Sequence, residues 1–181
     1  MYYFSIPDSY DNFRFNIGFL QVMKEHPDWF YDDFQIKSAY GVPGNCIWNG
    51  NRSIRYEPYV SPAEYRETRC LGYKYFGISY RLIFTNFMMK EVHYLDTFAN
   101  ALCKAFNEDG AEVMVSTPEM AAYLHEHYPN LVCNWSTTTD FGSPYDFEGQ
   151  IEKINELSRD RVVVLPYTLN EQLELLKKLH P

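Results

Sequence analysis

Short apolar runs rich in Val, Ile, Phe and Tyr alternate along this chain with longer segments of helical period. That alternation restricts the fold more than any other feature. "MYYFSI" reads as a strand, and residues 13–25, "FRFNIGFLQVMKE", put Phe13, Ile17, Leu20 and Val22 near helical spacing. "DFQIKSAYG" predicts a second strand. Ser61 as N-cap, Pro62 at the first helical position and Glu64 at the third predict a helix running to about Tyr75. "ISYRLIFTN" is a third strand, and the helix predicted after it runs to about Asn107 and sets His93, Asp96 and Asn100 on one face at i, i+3 and i+7. "AEVMVS", a helix from Thr117 to about His127, "LVCNWS", a helix over 147–158, "RVVVLP" and a helix in "YTLNEQLELLKKLH" bring the count to about six βα units.

Strands that alternate with helices of this length imply parallel pairing and right-handed crossovers. Apolar runs such as "VVVL" suit a sheet covered on both faces. Two architectures satisfy the pattern, an open doubly wound sheet and part of a barrel. No GxGxxG or GxxxxGK[ST] turn follows any strand, so the nucleotide-binding versions of the open sheet lose their main signal. The residues by themselves therefore give α/β with parallel strands and leave both architectures open. Residues 1–181 would form a single domain.

Composition narrows the function classes. The chain has 181 residues, 46% hydrophobic and 18% aromatic, which suits a packed core. Its net charge is -8 with no basic stripe, which argues against a nucleic-acid partner. The four cysteines, at 46, 70, 103 and 133, form no CxxC or other short pair, so no metal or iron–sulfur site is expected within this chain. Scattered single cysteines, an N-terminus without signal-peptide character and no apolar run near membrane-spanning length predict a cytoplasmic protein with no membrane partner.

In a parallel α/β sheet, ligands bind at the C-terminal ends of the strands. Ser5 and Pro7 stand at the first tip and Tyr40 and Gly41 at the second, and the candidate groups are Thr85 and Asn86 after the third strand, Ser116 after the fourth, and Ser136, Thr137 and Thr138 after the fifth. Such groups hydrogen-bond ligands, and they are also the preferred helix caps. The run "STTT" exceeds what one cap needs. The loop "NCIWNGNRSIR" adds Trp48, Asn49 and Arg52, where an arginine beside a turn can offer its fork to a carboxylate or phosphate. These nine residues are the candidate ligand-binding set, with no metal ligand and no assigned catalytic residue among them. His93 and Asp96 have the chemistry of a general base and its orienting partner, but their place well beyond the strand tip favours a structural role. Arg81, early in its strand, is expected to be structural as well.

Several stretches together carry a resemblance: "YFSIPDSYDNFRFNIGFLQVMKEHPDWFYDDF", "IWNGNR", "RLIFTNFMMKEVHYLDTFANALC", "VMVSTPEMAAYLHEHYPN", "STTT" and "RVVVLPYTLNEQLELLKKLHP". They resemble a group of uncharacterised bacterial (β/α)-barrel proteins, distantly similar to collagenase-like peptidase barrels, and the resemblance implies a parallel (β/α) barrel-like fold: an incomplete TIM-type barrel of about six βα units that lacks the last strands of the eight. The resemblance implies that Trp48, Asn49, Gly50, Arg52, Thr85, Asn86, Asp96, Asn100, Ser136 and Thr137 match recurring positions. It also implies a further, cysteine-bearing segment able to hold a metal or an iron–sulfur cluster, which these 181 residues do not include. The expected function is the binding of a small polar or anionic ligand, or a peptide, at the strand tips. One version is an incomplete hydrolase-like, peptidase-like or metal-assisted enzyme; the alternative is a non-catalytic binding or scaffold protein. Unpaired sheet edges would also favour a homo-oligomer.

Overall fold

The computed structural model describes residues 2–8, 12–41, 44, 46–50, 60–158 and 161–179. Strands β1 (Tyr2–Asp8), β2 (Phe34–Gly41), β3 (Ser79–Phe84), β4 (Glu112–Val115) and β5 (Val132–Trp135) form one parallel sheet in the order β1-β2-β3-β4-β5. The strand order never reverses among them, so the sheet has no switch point of the doubly wound kind. Between the strands fall α1 (Phe13–Glu25), α2 (Pro62–Tyr65), α3 (Gly72–Lys74), α4 (Thr97–Asn107) and α5 (Pro118–His127), and α6 (Phe147–Leu157) and α7 (Leu173–Leu176) follow β5. A π-helical turn, Arg66–Leu71, joins α2 to α3.

The helices follow from local chemistry. Ser61 accepts a hydrogen bond from the Glu64 N–H and Thr117 from the Met120 N–H, with Pro62 and Pro118 in the first turn. Asp146 caps α6 by accepting from the Gly149 N–H. Burial then orients the elements. Tyr80, Leu82 and Phe84 of β3 and Val113 and Val115 of β4 alternate onto one face. There they pack with Leu20 of α1, Tyr73, Leu102 and Phe106 of α4, and Leu124 of α5 in one apolar cluster. Helices α1 to α5 therefore cover the same face of the sheet. A separate small cluster of Phe141, Ile151, Ile154 and Leu169 anchors α6 and the C-terminal segment.

Three expectations need correction. The sixth strand is reduced to a single bridge, Val163 with Trp135, closed by hydrogen bonds from Trp135 N–H to Val162 O and from Val164 N–H to Trp135 O. Pro166, which has no N–H to donate, stands just beyond it at the cap of the next 3-10 turn, Tyr167–Leu169. So the described sheet has five strands where about six were expected. His93, Asp96 and Asn100 do not share one helix. Glu91–Leu95 is a 3-10 turn, and Asp96 breaks from it as the N-cap of α4, because its carboxylate accepts the Ala99 N–H at 2.9 Å. Val22 is exposed, and the core stripe of α1 runs through Phe13, Ile17 and Leu20.

Asp96 also accepts the Ile47 N–H at 2.9 Å, so one carboxylate joins α4 to the loop after β2. Asp96→Ala should lower unfolding free energy by about 1–2 kcal/mol, the usual worth of a lost cap. Asp96→Asn should lower it by less. Urea denaturation followed by circular dichroism measures both.

Candidate functional site

At the tip of β3 the polar groups are occupied by a neighbouring loop. The Asn86 N–H donates to Trp48 O at 3.0 Å and its Nδ2 donates to Ile47 O at 3.0 Å, while its Oδ1 accepts from the Met88 N–H. Gly50 closes this loop in the left-handed region, φ 69°, where a Cβ would lie 3.2 Å from Asn86 Cα. Trp48 is fully buried, its Nε1 donates to His93 O at 2.7 Å, and its ring meets Phe84 and Tyr123 edge-on. Trp48, Asn49 and Asn86 thus belong to a clamp that fastens the loop to the helix-covered side of β3. Arg52 lies outside the described residues. Asn100, further along, donates to Tyr94 O and Asp96 O and accepts from the hydroxyls of Tyr123 and Tyr128. The Lys90 N–H donates to His93 Nδ1.

The other tip residues gather on the opposite face. Ile83 pairs with Met114 and Met114 with Asn134, so one step of strand alternation on each side carries Thr85, Ser116 and Ser136 into one layer. Thr138 joins that layer by hydrogen bonds with Ser116 Oγ and Ser136 Oγ. Thr137 turns outward and donates to Leu165 O at 3.1 Å. Thr85 Oγ1 is buried without a hydrogen-bond partner among the described residues.

Below this layer lies a cavity of about 420 Å³. Its polar lining is Ser5, Arg81, Ser136 and Thr137, and its apolar lining is Tyr40, Ile83, Met114 and Val164. Arg81 is held in place by Glu112, whose Oε2 accepts its Nε–H and also a hydrogen bond from Asn134 Nδ2 at 2.8 Å. Ser5 and Ser38 share a hydrogen bond of 2.6 Å across β1 and β2. The sequence pattern placed Ser5 and Tyr40 at strand tips and took Arg81 as structural, but put only Ser136 and Thr137 of this lining in the candidate set. Strand alternation was the available signal, since Arg81 is two residues before Ile83 on the uncovered face. A second groove of about 470 Å³, lined in part by Lys24, Phe34, Lys37 and Tyr75, opens at the N-terminal ends of β2 and β3. It is slightly larger but sits at the end of the sheet where parallel folds do not place their sites.

A buried charged pair marks the end of β1 on the helix-covered face. Arg69, in the π turn, lies 3.6 Å from the Asp8 carboxylate, with its guanidinium over the rings of Phe13 and Tyr65. Burial pushes the Asp8 carboxyl up to about 6, against the opposing pull of Arg69 and of the nearby Tyr73 and Tyr80 hydroxyls. Neither Asp8 oxygen has a hydrogen bond of good geometry from a described residue. The Tyr80 hydroxyl meets that of Tyr65 at 2.9 Å and crosses so close to Gly41 that a Cβ there would lie 2.1 Å from it.

Burial raises the thiols of Cys46 to about 12 and of Cys70 and Cys133 to about 11, and it also holds the Cys103 thiol well above its ordinary value, so all four are protonated at neutral pH. Among the described residues no group of three His, Cys, Asp or Glu side chains is placed to hold a metal, and no helix is long and apolar enough to cross a membrane. Comparison of the chain with protein-family models, with curated proteins and with solved structures found no match.

The Asp8 shift has a defined sign. A carboxyl whose folded pKa lies above its unfolded value of about 3.9 contributes stability below that value and loses it as pH rises through about 6. Asp8→Asn removes this titration. The stability of the wild type relative to Asp8→Asn should therefore fall by about 2 kcal/mol between pH 4 and pH 7.5. Paired denaturation curves across that range measure the difference, and a flat difference would contradict it.

Proposed function

We propose that this chain is a barrel-type (β/α) protein that binds a small polar or anionic molecule against the uncovered face of its sheet. The sequential strand order and the single helix-covered face support the barrel reading, because a series of right-handed crossovers in one direction stacks helices on one side. The observation that carries the binding reading is the cavity of about 420 Å³ with Ser5, Arg81, Ser136 and Thr137 on an otherwise apolar wall. A few fixed polar groups in an apolar recess are the usual make-up of a small-molecule site. Glu112 holds Arg81 by its Nε alone, and its two Nη groups make no hydrogen bond to another described residue. A guanidinium pre-oriented in this way favours a carboxylate, with the hydroxyls taking further acceptors. Because Glu112 offsets most of the arginine charge, the ligand needs little net charge of its own. Among the described residues the cavity lining includes no histidine, cysteine or carboxylate, so binding is favoured over acid–base catalysis.

The test is a thermal-shift and ligand-observed NMR screen with small mono- and dicarboxylates, hydroxy acids, phosphate and dipeptides. A ligand present at a hundred times its Kd should add about 2.7 kcal/mol to stability. Val164→Trp, which fills the recess, and the double variant Ser136→Ala, Thr137→Val should each weaken the best hit tenfold or more. Binding unchanged in the folded Val164→Trp protein would overturn the site, as would the failure of every class in the panel.

A further inference from the structure

The cavity is not uniform along the strands, and the order of its surfaces restricts the occupant. Tyr40 pairs with Arg81, Arg81 with Glu112 and Glu112 with Val132, so these residues share one layer. Two residues on, Ile83 pairs with Met114 in the next layer. Ser136 stands four residues beyond Val132, in the layer after that, and the Trp135–Val163 bridge sets Val164 beside it. The lining therefore reads Ser5, Tyr40 and Arg81 at the lower end, Ile83 and Met114 in the middle, and Ser136 and Thr137 at the strand tips. At ~3.3 Å per residue, the Arg81 layer and the Ser136 layer are roughly 13 Å apart along the backbone. The Glu112 oxygen that accepts from Arg81 also accepts from Asn134 of the middle layer, so the guanidinium leans toward the tips and shortens that span.

The two ends differ in chemistry. Arg81 is the one cation among the described lining residues, and Glu112 balances much of its charge. That end suits a single carboxylate. At the other end, Thr137 gives its one hydroxyl proton to Leu165 O, so toward a ligand it is an acceptor alone. Ser136 Oγ accepts the Thr138 N–H and shares a further hydrogen bond with Thr138 Oγ1, which also meets Ser116 Oγ. Ser116 is buried and does not line the cavity, so its proton is satisfied only when it donates to Thr138. Thr138 then donates to Ser136, and the Ser136 proton is left for the cavity. The tips thus present one donor and one acceptor. A hydroxyl is the smallest group that answers both. A carboxylate, which only accepts, would meet the Thr137 lone pairs with no proton between them.

We infer that the ligand is an unbranched monocarboxylic acid with a hydroxyl at its far end, about four to six carbons long, the length that crosses the Ile83–Met114 band between the two polar ends. The inference rests on the cavity reading above and names the class of its occupant. The carboxylate takes the free face of the Arg81 guanidinium, the methylenes lie on Ile83 and Met114, and the hydroxyl donates to Thr137 and accepts from Ser136.

Isothermal titration calorimetry on the full chain tests it. The compounds are glycolate, the terminal hydroxy acids of four and six carbons, and the unsubstituted acid and the dicarboxylate of each of those two lengths. The better of the two longer hydroxy acids should bind at least tenfold more tightly than glycolate, and tenfold more tightly than the acid and the dicarboxylate of its own length. Thr137→Val should erase the preference over the unsubstituted acid. Circular dichroism checks its folding, and Ser136→Ala gives the same readout should that variant not fold. A dicarboxylate or unsubstituted acid that binds as tightly as the hydroxy acid, or a preference that survives the folded variant, overturns the inference and leaves the cavity reading standing. Should none of these acids bind, the inference falls, and the cavity reading is decided separately by the wider panel with phosphate and dipeptides.

Discussion

Every strand in the sheet runs in the same direction, and this requirement organises the rest of the molecule. A parallel neighbour can be reached only by carrying the chain back over the sheet, and the hand of that crossover is nearly invariant. With strands laid down in sequential order, each return passes over the same face. That face therefore takes Leu82, Phe84, Val113 and Val115 into contact with α1, α4 and α5. The opposite face receives no crossover among the described residues, and it is there that Ser5, Arg81, Glu112 and Asn134 are tolerated on strands. The division between a packing face and a polar face is thus a consequence of topology.

On the packing face, the π turn at Arg66–Leu71 makes room for a charge where apolar packing would be ordinary. Arg69 and Asp8 bring the end of β1 against the helix connection between β2 and β3, with the hydroxyls of Tyr73 and Tyr80 around them. Buried pairs of this kind stabilise less than their Coulomb attraction suggests, because desolvation opposes them, and breaking one partner is worse than never having the pair. The raised pKa of Asp8 expresses that balance, since burial outweighs the attraction of Arg69. The pair orients the helix connection on the sheet more than it adds to net stability.

The polar residues after the strands divide between two tasks. Those after β3, together with the loop at Ile47–Asn49, satisfy one another and the N-terminus of α4 through Asn86, Trp48, His93 and Asp96. Those after β4 and β5 satisfy one another through Thr138 and form the rim above a cavity. The same residue types perform both jobs, because a hydroxyl or amide that can meet a ligand can equally meet a neighbouring backbone group.

The helix over Phe13–Glu25 was legible from periodicity, and Ser61, Thr117 and their prolines announced two helix starts, since caps act on adjacent residues and need no distant partner. The five parallel strands were legible for the same local reason. Ser136 and Thr137 were legible as a candidate site from their place at a strand tip. The 3-10 turn before α4 was not, because Asp96 becomes a cap only once Ile47 and Ala99 stand beside it. The sixth strand was read from apolar composition, yet pairing depends on a neighbour's ladder, and Val163 finds only Trp135. Arg81 was read only as structural and Asp8 was passed over, because their surroundings come from residues 31 and 61 positions away, Glu112 and Arg69. The sequence by itself determined the elements and their alternation, which are set by contacts within a few residues. Only the tertiary structure decided which face is covered, which polar tips are consumed and where a cavity remains, because each of those is a contact between segments that the chain order does not place together.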